Sequence, residues 1–266
     1  MTRLLDPLPG GPAPGAKRDR ANAAAAPRDG VAAAPFALLL AAALAAPAAM
    51  AGRPLATDDA AIVEPGACQL ESWLERQPSE RRFWLNPACN PFGRIELSFG
   101  GARVRTDAAG ATASTTVTAW QLKPLLREVD DDTPGFALAL RDERDRRVHA
   151  GTLGNTSLTG IASVPLAGQA LLAHLNLGVL RQRGDEARWR TPWAAALDGA
   201  LGATTRVAIE AFGPGSGGTR WQLNLRHEWL PGRLQVDASV GSRFGGRVEE
   251  RLFTVGLVVV SPPFLR

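Results

Sequence analysis

Between residues 219 and 243 apolar and polar side chains alternate on both sides of a Pro-Gly pair. Trp221, Leu223, Leu225, His227 and Trp229 fall on one face, and Gln222, Asn224, Arg226 and Glu228 on the other. A period of two is that of a strand. Two such runs around Pro231 and Gly232 predict a hairpin. Folding there sets Leu225 opposite Ala238, Leu223 opposite Val240, Arg226 opposite Asp237 and Asn224 opposite Ser239. Apolar then meets apolar and opposite charges meet, the pairing that stabilises neighbouring strands. Along the strand, Trp221 and Trp229 stand roughly 27 Å apart at about 3.4 Å per residue. With the strand tilted, this projects to roughly 21 Å, near the height of the apolar band of a membrane barrel.

The same reading predicts a second hairpin about residues 77–80, with Glu75 opposite Arg82, Trp73 opposite Trp84, Leu74 opposite Phe83 and Cys68 opposite Cys89. These are the chain's 2 cysteines, and their opposition predicts a disulfide in an exported protein. No cysteine or histidine cluster points to zinc or to a cysteine nucleophile. Further strands are expected over residues 94–105, 115–128, 136–141, 156–164, 169–180, 188–199, 204–212 and 251–260. The expectation is about twelve strands, with ten as the alternative. Turns near residues 90–91, 165–168, 202 and 231–232 are short, while connections at 106–114, 142–155, 181–187, 213–218 and 244–250 are mostly longer and polar. Short turns alternating with longer loops, at an even strand count, predict an all-β, antiparallel up-and-down transmembrane β-barrel.

The first fifty residues differ from the rest. Residues 1–30 are rich in Pro, Gly, Ala and charge, and residues 31–51 are Ala- and Leu-rich behind Lys17, Arg18, Arg20 and Arg28. Basic, apolar and small-residue zones in that order predict a signal peptide, with cleavage near Ala51. A run this rich in alanine, with two prolines, makes a poor permanent helical anchor. Residues 52–67, containing Asp58 and Asp59, are expected to form a periplasmic lead-in or small plug, and residues 68–266 the barrel. The two carboxylates could hold a cation, but adjacent carboxylates are more often solvated. No later run is apolar enough for a spanning helix. The formal charge is +4, spread over turns and alternate strand positions, so no nucleic-acid footprint is present.

Alternation alone fits a membrane barrel with its apolar face outward, or a soluble periplasmic barrel binding an apolar ligand inside. Charges in mid-strand favour the first, because a wide polar lumen hydrates them. The lumen-lining candidates are Glu96, Lys123, Arg141, His174, Arg190, Asp198, Arg206, Glu210, Arg226, Glu228 and Asp237, with Arg226 and Asp237 expected to pair. Trp189, Trp193, Trp221 and Trp229 are the candidate aromatic girdle. The glycines of residues 213–218 fit a dinucleotide fingerprint in spacing only, since a strand follows where a helix is required. Of His149, His174 and His227, only His174 would face the lumen, and no nucleophile can be assigned to it. The expectation is no enzyme, no metal and no cofactor.

Arg-Pro-Leu-Ala-Thr-Asp-Asp-Ala at 53–60, Cys-Gln-Leu-Glu-Ser-Trp at 68–73, Asn-Pro-Ala-Cys-Asn-Pro-Phe-Gly at 86–93 and Gln-Leu-Lys-Pro-Leu-Leu-Arg at 121–127 resemble a known pattern. It is that of the bacterial outer-membrane barrels of the MetA-pathway of phenol degradation family, a transporter family. The resemblance implies a channel for small solutes, including aromatic or hydrophobic compounds, in the outer membrane of a Gram-negative bacterium. Its implied partners are outer-membrane lipid, the barrel-assembly machinery and the solute. The chain departs from the usual barrel ending: Val260 is followed by Ser-Pro-Pro-Phe-Leu-Arg, leaving Phe264 as the candidate terminal aromatic.

Overall fold

The computed structural model describes residues 55–108, 111–183, 188–214, 218–245 and 250–265. The leader of residues 1–51 and its cleavage after Ala51 lie outside the described residues. The strands are β1 (Cys68–Gln77), β2 (Glu80–Cys89), β3 (Ile95–Ala108), β4 (Ala111–Arg127), β5 (Gly135–Asp145), β6 (Asn155–Pro165), β7 (Leu171–Gln182), β8 (Arg188–Arg190), β9 (Trp193–Ala200), β10 (Thr205–Gly213), β11 (Arg220–Leu230), β12 (Leu234–Arg243) and β13 (Leu252–Val260). Apart from β8 and β9, which do not pair with each other, sequence neighbours pair antiparallel, and β1 pairs with β13 to close the ring. Strands β8 and β9 both pair with β7 and form one stave. The fold is therefore an antiparallel up-and-down transmembrane β-barrel of twelve staves.

The two hairpin registers read from side-chain pattern are present. Leu225 faces Ala238, Arg226 faces Asp237, and Leu223 faces Val240. Trp73 faces Trp84, and Cys68 faces Cys89, with which it forms a disulfide. Two other expectations are corrected. The long connection over residues 106–114 is not a loop: Thr106 pairs with Ala113 and Asp107 with Thr112, leaving two residues between β3 and β4. Asp107 Oδ1 accepts from Thr112 Oγ1 at 2.7 Å, an anchor for this polar extension. The strand over 188–199 is broken at Thr191 and Pro192, because proline has no N–H for the ladder. Its carbonyl still accepts from Gly178 N at 2.9 Å, so the wall continues past the break.

Alternation sorts the wall into two surfaces. On β11, Leu225 is 49% exposed on the outside while its neighbour Asn224 is 2% exposed inside. Leu175, Ile209, Leu223 and Val255 are likewise outward and exposed, whereas His174, Glu210, Gln222 and Thr254 are buried. A soluble barrel around a dry apolar core would need the reverse. Gly256 on β13 belongs to the inner face because of a close approach: a Cβ there would meet the Asp237 carboxylate at 2.6 Å.

An arginine at Leu225, mid-wall and outward, is expected to cost about 2–4 kcal/mol in vesicle-based folding titrations, against about 0–1 kcal/mol for the same change at the rim residue Trp229. Equal tolerance at both positions would contradict lipid exposure of this face.

Candidate functional site

The inner surface is organised around residues 55–67, which enter the barrel at the end where β1 begins and β13 finishes. We call this segment the strap and that end the near end. At the mouth, Gly66 N donates to Asn90 O at 2.8 Å and Asn90 N to Ala67 O at 3.0 Å. Gly66 adopts φ +76, a conformation that favours glycine, and a Cβ there would meet Leu265 O at 2.9 Å. The C-terminal tail lies alongside, with Phe264 N and Leu265 N both donating to Gly66 O. Phe264 itself is exposed.

Further in, strap main-chain groups are met by side chains from separate staves. Asn90 Nδ2 donates to Val63 O at 2.8 Å, and Val63 N to Glu96 Oε2 of β3 at 2.9 Å. Ala60 N donates to Ser163 Oγ of β6 at 2.8 Å. Asp58 and Asn176 of β7 exchange two hydrogen bonds, at 2.6 and 2.8 Å. Ala56 N donates to Glu210 Oε1 of β10 at 3.0 Å, and Thr57 N and Oγ1 both donate to Glu210 Oε2 at 2.8 Å. Lys123 Nζ of β4 donates to Asp58 Oδ1 at 2.8 Å, its ammonium buried beside the strap. Buried main-chain groups need such partners, and here four staves and the β2–β3 turn supply them. Strap residue Asp59 is also buried. Burial pushes its carboxyl above the ordinary value, while Lys123, His174 and Arg226 draw it back down in part.

Asp198 anchors a second network under the strap. Its Oδ1 accepts from Arg206 Nε at 2.9 Å, and its Oδ2 from Arg226 Nη2 at 2.8 Å. His174 Nε2 stands 3.8 Å from Asp198 Oδ2, while Nδ1 lies 2.8 Å from Ser163 Oγ. Ser163 Oγ, which also accepts from Ala60 N, shares this hydrogen bond with His174 Nδ1, the donor being set by the imidazole tautomer. With the strap seated, this serine is capped and 1% exposed. We read this trio as part of the strap seat. Gln222, Asn224, Ser239 and Glu210 extend the network toward Thr254, whose hydroxyl meets that of Ser239.

Of the eleven lumen candidates, Glu96, Lys123, His174, Asp198, Glu210, Arg226 and Asp237 are buried on the inner face. Glu96, Lys123 and Glu210 meet around the strap, and His174, Asp198, Arg206 and Arg226 around Asp198. Arg226 and Asp237 are cross-strand neighbours, but Arg226 also reaches the more distant Asp198. Arg141 lies further up the wall, 3.0 Å from Glu143 and over the Trp84 ring at 5.9 Å. Arg190 stands opposite Leu180 at the far end. Glu228 sits at the near mouth, where its Oε2 accepts from Gly232 N. Trp189 and Trp229 are exposed on the outer surface, while Trp193 and Trp221 are half-buried.

The charge-based reading missed Ser163, Asn176 and Asn90. The first two share the inner face with His174, and that parity was the available signal. Trp73 and Trp84 were paired from sequence but not placed inside. They stack at 5.2 Å with an 11° interplanar angle, and Trp84 packs with Ala102, Val104, Val117 and Ala119. Two cavities flank the strap. One, of about 370 Å³, is bordered by Leu55, Asp58, Ala61, Glu71, Trp73, Gln121, Lys123 and Arg141. The other, of about 520 Å³, opens at the near mouth beside Ala61, Val63, Glu64, Glu128, Asp130 and Glu228.

Comparison with solved structures finds barrels of the same build. The KdgM porin in complex with disordered oligogalacturonate matches with TM-score 0.56 at 11% identity, over 72% of this chain and 98% of that one. The KdgM porin alone matches with TM-score 0.54 at 10% identity, over the same shares. At this identity the likeness establishes fold. Comparison with curated proteins found no match. A family model matches residues 37–260, the larger part of the chain. The chain belongs to the family described as Uncharacterised conserved protein UCP029691.

Proposed function

We propose that this protein is an outer-membrane channel of a Gram-negative bacterium, passing small solutes through a lumen that the strap closes at its near end. The observation that carries this reading is the strap itself, held by side chains between two cavities with Ala61 bordering both. It adds no strand to the wall, so it can leave without opening the barrel. In this reading residues 1–51 are removed on export, the near end faces the periplasm, and the assembly machinery inserts the chain into lipid. Lys123, Glu96, Asn176 and Glu210 select electrostatically when the strap is away, as charged side chains do in other pores.

The Trp73 and Trp84 pair supports a ring-bearing solute. A stacked aromatic face above a cavity with Glu71, Gln121 and Arg141 offers one flat apolar surface and several polar anchors. This accommodates a small aromatic compound with polar substituents better than a purely hydrophobic one. The exposed outer face gives no support to the alternative of a soluble barrel with an apolar ligand inside.

Two outcomes are expected in planar bilayers. Deleting residues 55–62 should raise single-channel conductance well above that of the intact chain, and Trp73→Ala should weaken block by a phenolic solute. An unchanged conductance after the deletion would dismiss the strap as a gate.

A third outcome concerns pH. The Asp59 carboxyl, raised above its ordinary 3.8 by burial, binds its proton more tightly in the seated strap than out in water. Between those two values the seated state holds more proton, so seating strengthens as pH falls and weakens as pH rises through the raised value. Conductance should therefore fall on acidification, and Asp59→Asn should flatten that dependence. Conductance that rises on acidification, or an unaltered profile in the variant, would contradict this assignment.

A further inference from the structure

A cluster of arginines on the outer surface plays no part in the lumen. Arg76 of β1 lies opposite Arg81 of β2, and Arg81 lies opposite Arg105 of β3. Three guanidinium groups therefore share one rung, each about 5 Å from the next at the main chain. Arg103, two residues down β3, lies opposite Phe83. All four are exposed. By alternation they share the outward face with exposed Leu74, Phe83 and Phe99.

Like charges side by side on neighbouring strands repel, and compensation within the protein is slight. Arg81 Nη2 stands 3.5 Å from Asp107 Oδ2 with both side chains about half exposed, and Arg103 Nη2 donates to Ser114 Oγ at 2.8 Å. Arg76 and Arg105 have no carboxylate partner among the described residues. Arginines at the near end differ: Arg94 and Arg127 donate to the carbonyls of Leu126 and Pro134, and Arg233 pairs with Glu64. The hairpins carrying the cluster are also closed by only two residues each, between β1 and β2 and between β3 and β4, so neither raises a long loop of its own over it.

We infer that this cluster docks the phosphorylated headgroup of an outer-leaflet lipid. The inference rests on the channel reading, which turns this end of the barrel to the cell exterior. Guanidinium groups grip phosphate oxygens in pairs, and an anion seated on the rung turns mutual repulsion into shared attraction. The apolar side chains of Leu74 and Phe83 below lie where the acyl chains of the same lipid run.

The test uses the whole processed chain in phosphatidylcholine vesicles carrying diphosphoryl lipid A, with bound lipid measured by native mass spectrometry after mild extraction. The intact protein should hold diphosphoryl lipid A about tenfold more tightly than Arg76→Gln/Arg81→Gln/Arg105→Gln. Dephosphorylated lipid should bind both chains as weakly as the variant binds the phosphorylated form. Arg220→Gln/Arg243→Gln, on the inner side of the same end, should bind like the intact protein. Equal retention by intact and triple-variant chains would overturn the inference. Full displacement by inorganic phosphate would also overturn it, by making this a free-anion site. Vesicle flotation and heat-dependent migration are scored separately. A chain that fails to insert refutes the channel reading and this inference together, whereas an inserted barrel indifferent to its arginines refutes the inference alone.

Discussion

Hydrocarbon offers no hydrogen bonds to the main chain, and the rest of the structure follows from that constraint. A strand can cross such a medium only when each N–H and C=O is paired along both edges, which requires a closed ring. Pairing between β1 and β13 completes it. Closure then divides side chains by parity, so Leu225 meets the apolar surroundings while Asn224 and Arg226 turn inward. The pattern costs little outside, but it leaves a lumen crowded with charges and amides that must find partners across open space.

The strap meets much of that need. Glu96, Ser163, Asn176 and Glu210 come from four staves that do not all touch one another, yet each receives an N–H from residues 56–63. Lys123 is buried with Asp58 against it, where an unpaired ammonium would be costly. Asp198 performs the corresponding task for Arg206 and Arg226. The wall is thus held by main-chain ladders and its interior by side-chain bonds, two sets of interactions that can yield separately. That separation gives the proposed gate its physical basis.

Much of the wall was legible in the sequence. Leu225 opposite Ala238, and Cys68 opposite Cys89, follow from alternation because a slip of one residue would turn every side chain to the wrong surface. The polar stretch from Thr106 to Ser114 was misread as loop, because threonine, serine and aspartate serve turns as readily as edge strands and the far partner was out of view. The break at Pro192 needed only the known lack of an N–H. The lumen was harder. Period two tells which face a residue occupies but not which residues meet across the barrel. Arg226 stands opposite Asp237 as the register requires, but its 2.8 Å contact with Asp198, two staves away, could not be read from parity. Ser163 and Asn176 carry no charge to draw attention, and they matter only once the strap lies beside them.

The orientation of the two faces can be tested with paired cysteines on one strand. Leu225→Cys and Asn224→Cys, each labelled with an environment-sensitive fluorophore in vesicles, are exposed in turn to a nitroxide lipid and to a water-soluble quencher. The label at position 225 should be quenched by the lipid and spared by the aqueous reagent, with position 224 insensitive to the lipid. Lipid quenching at 224, with 225 shielded from it, would contradict the account.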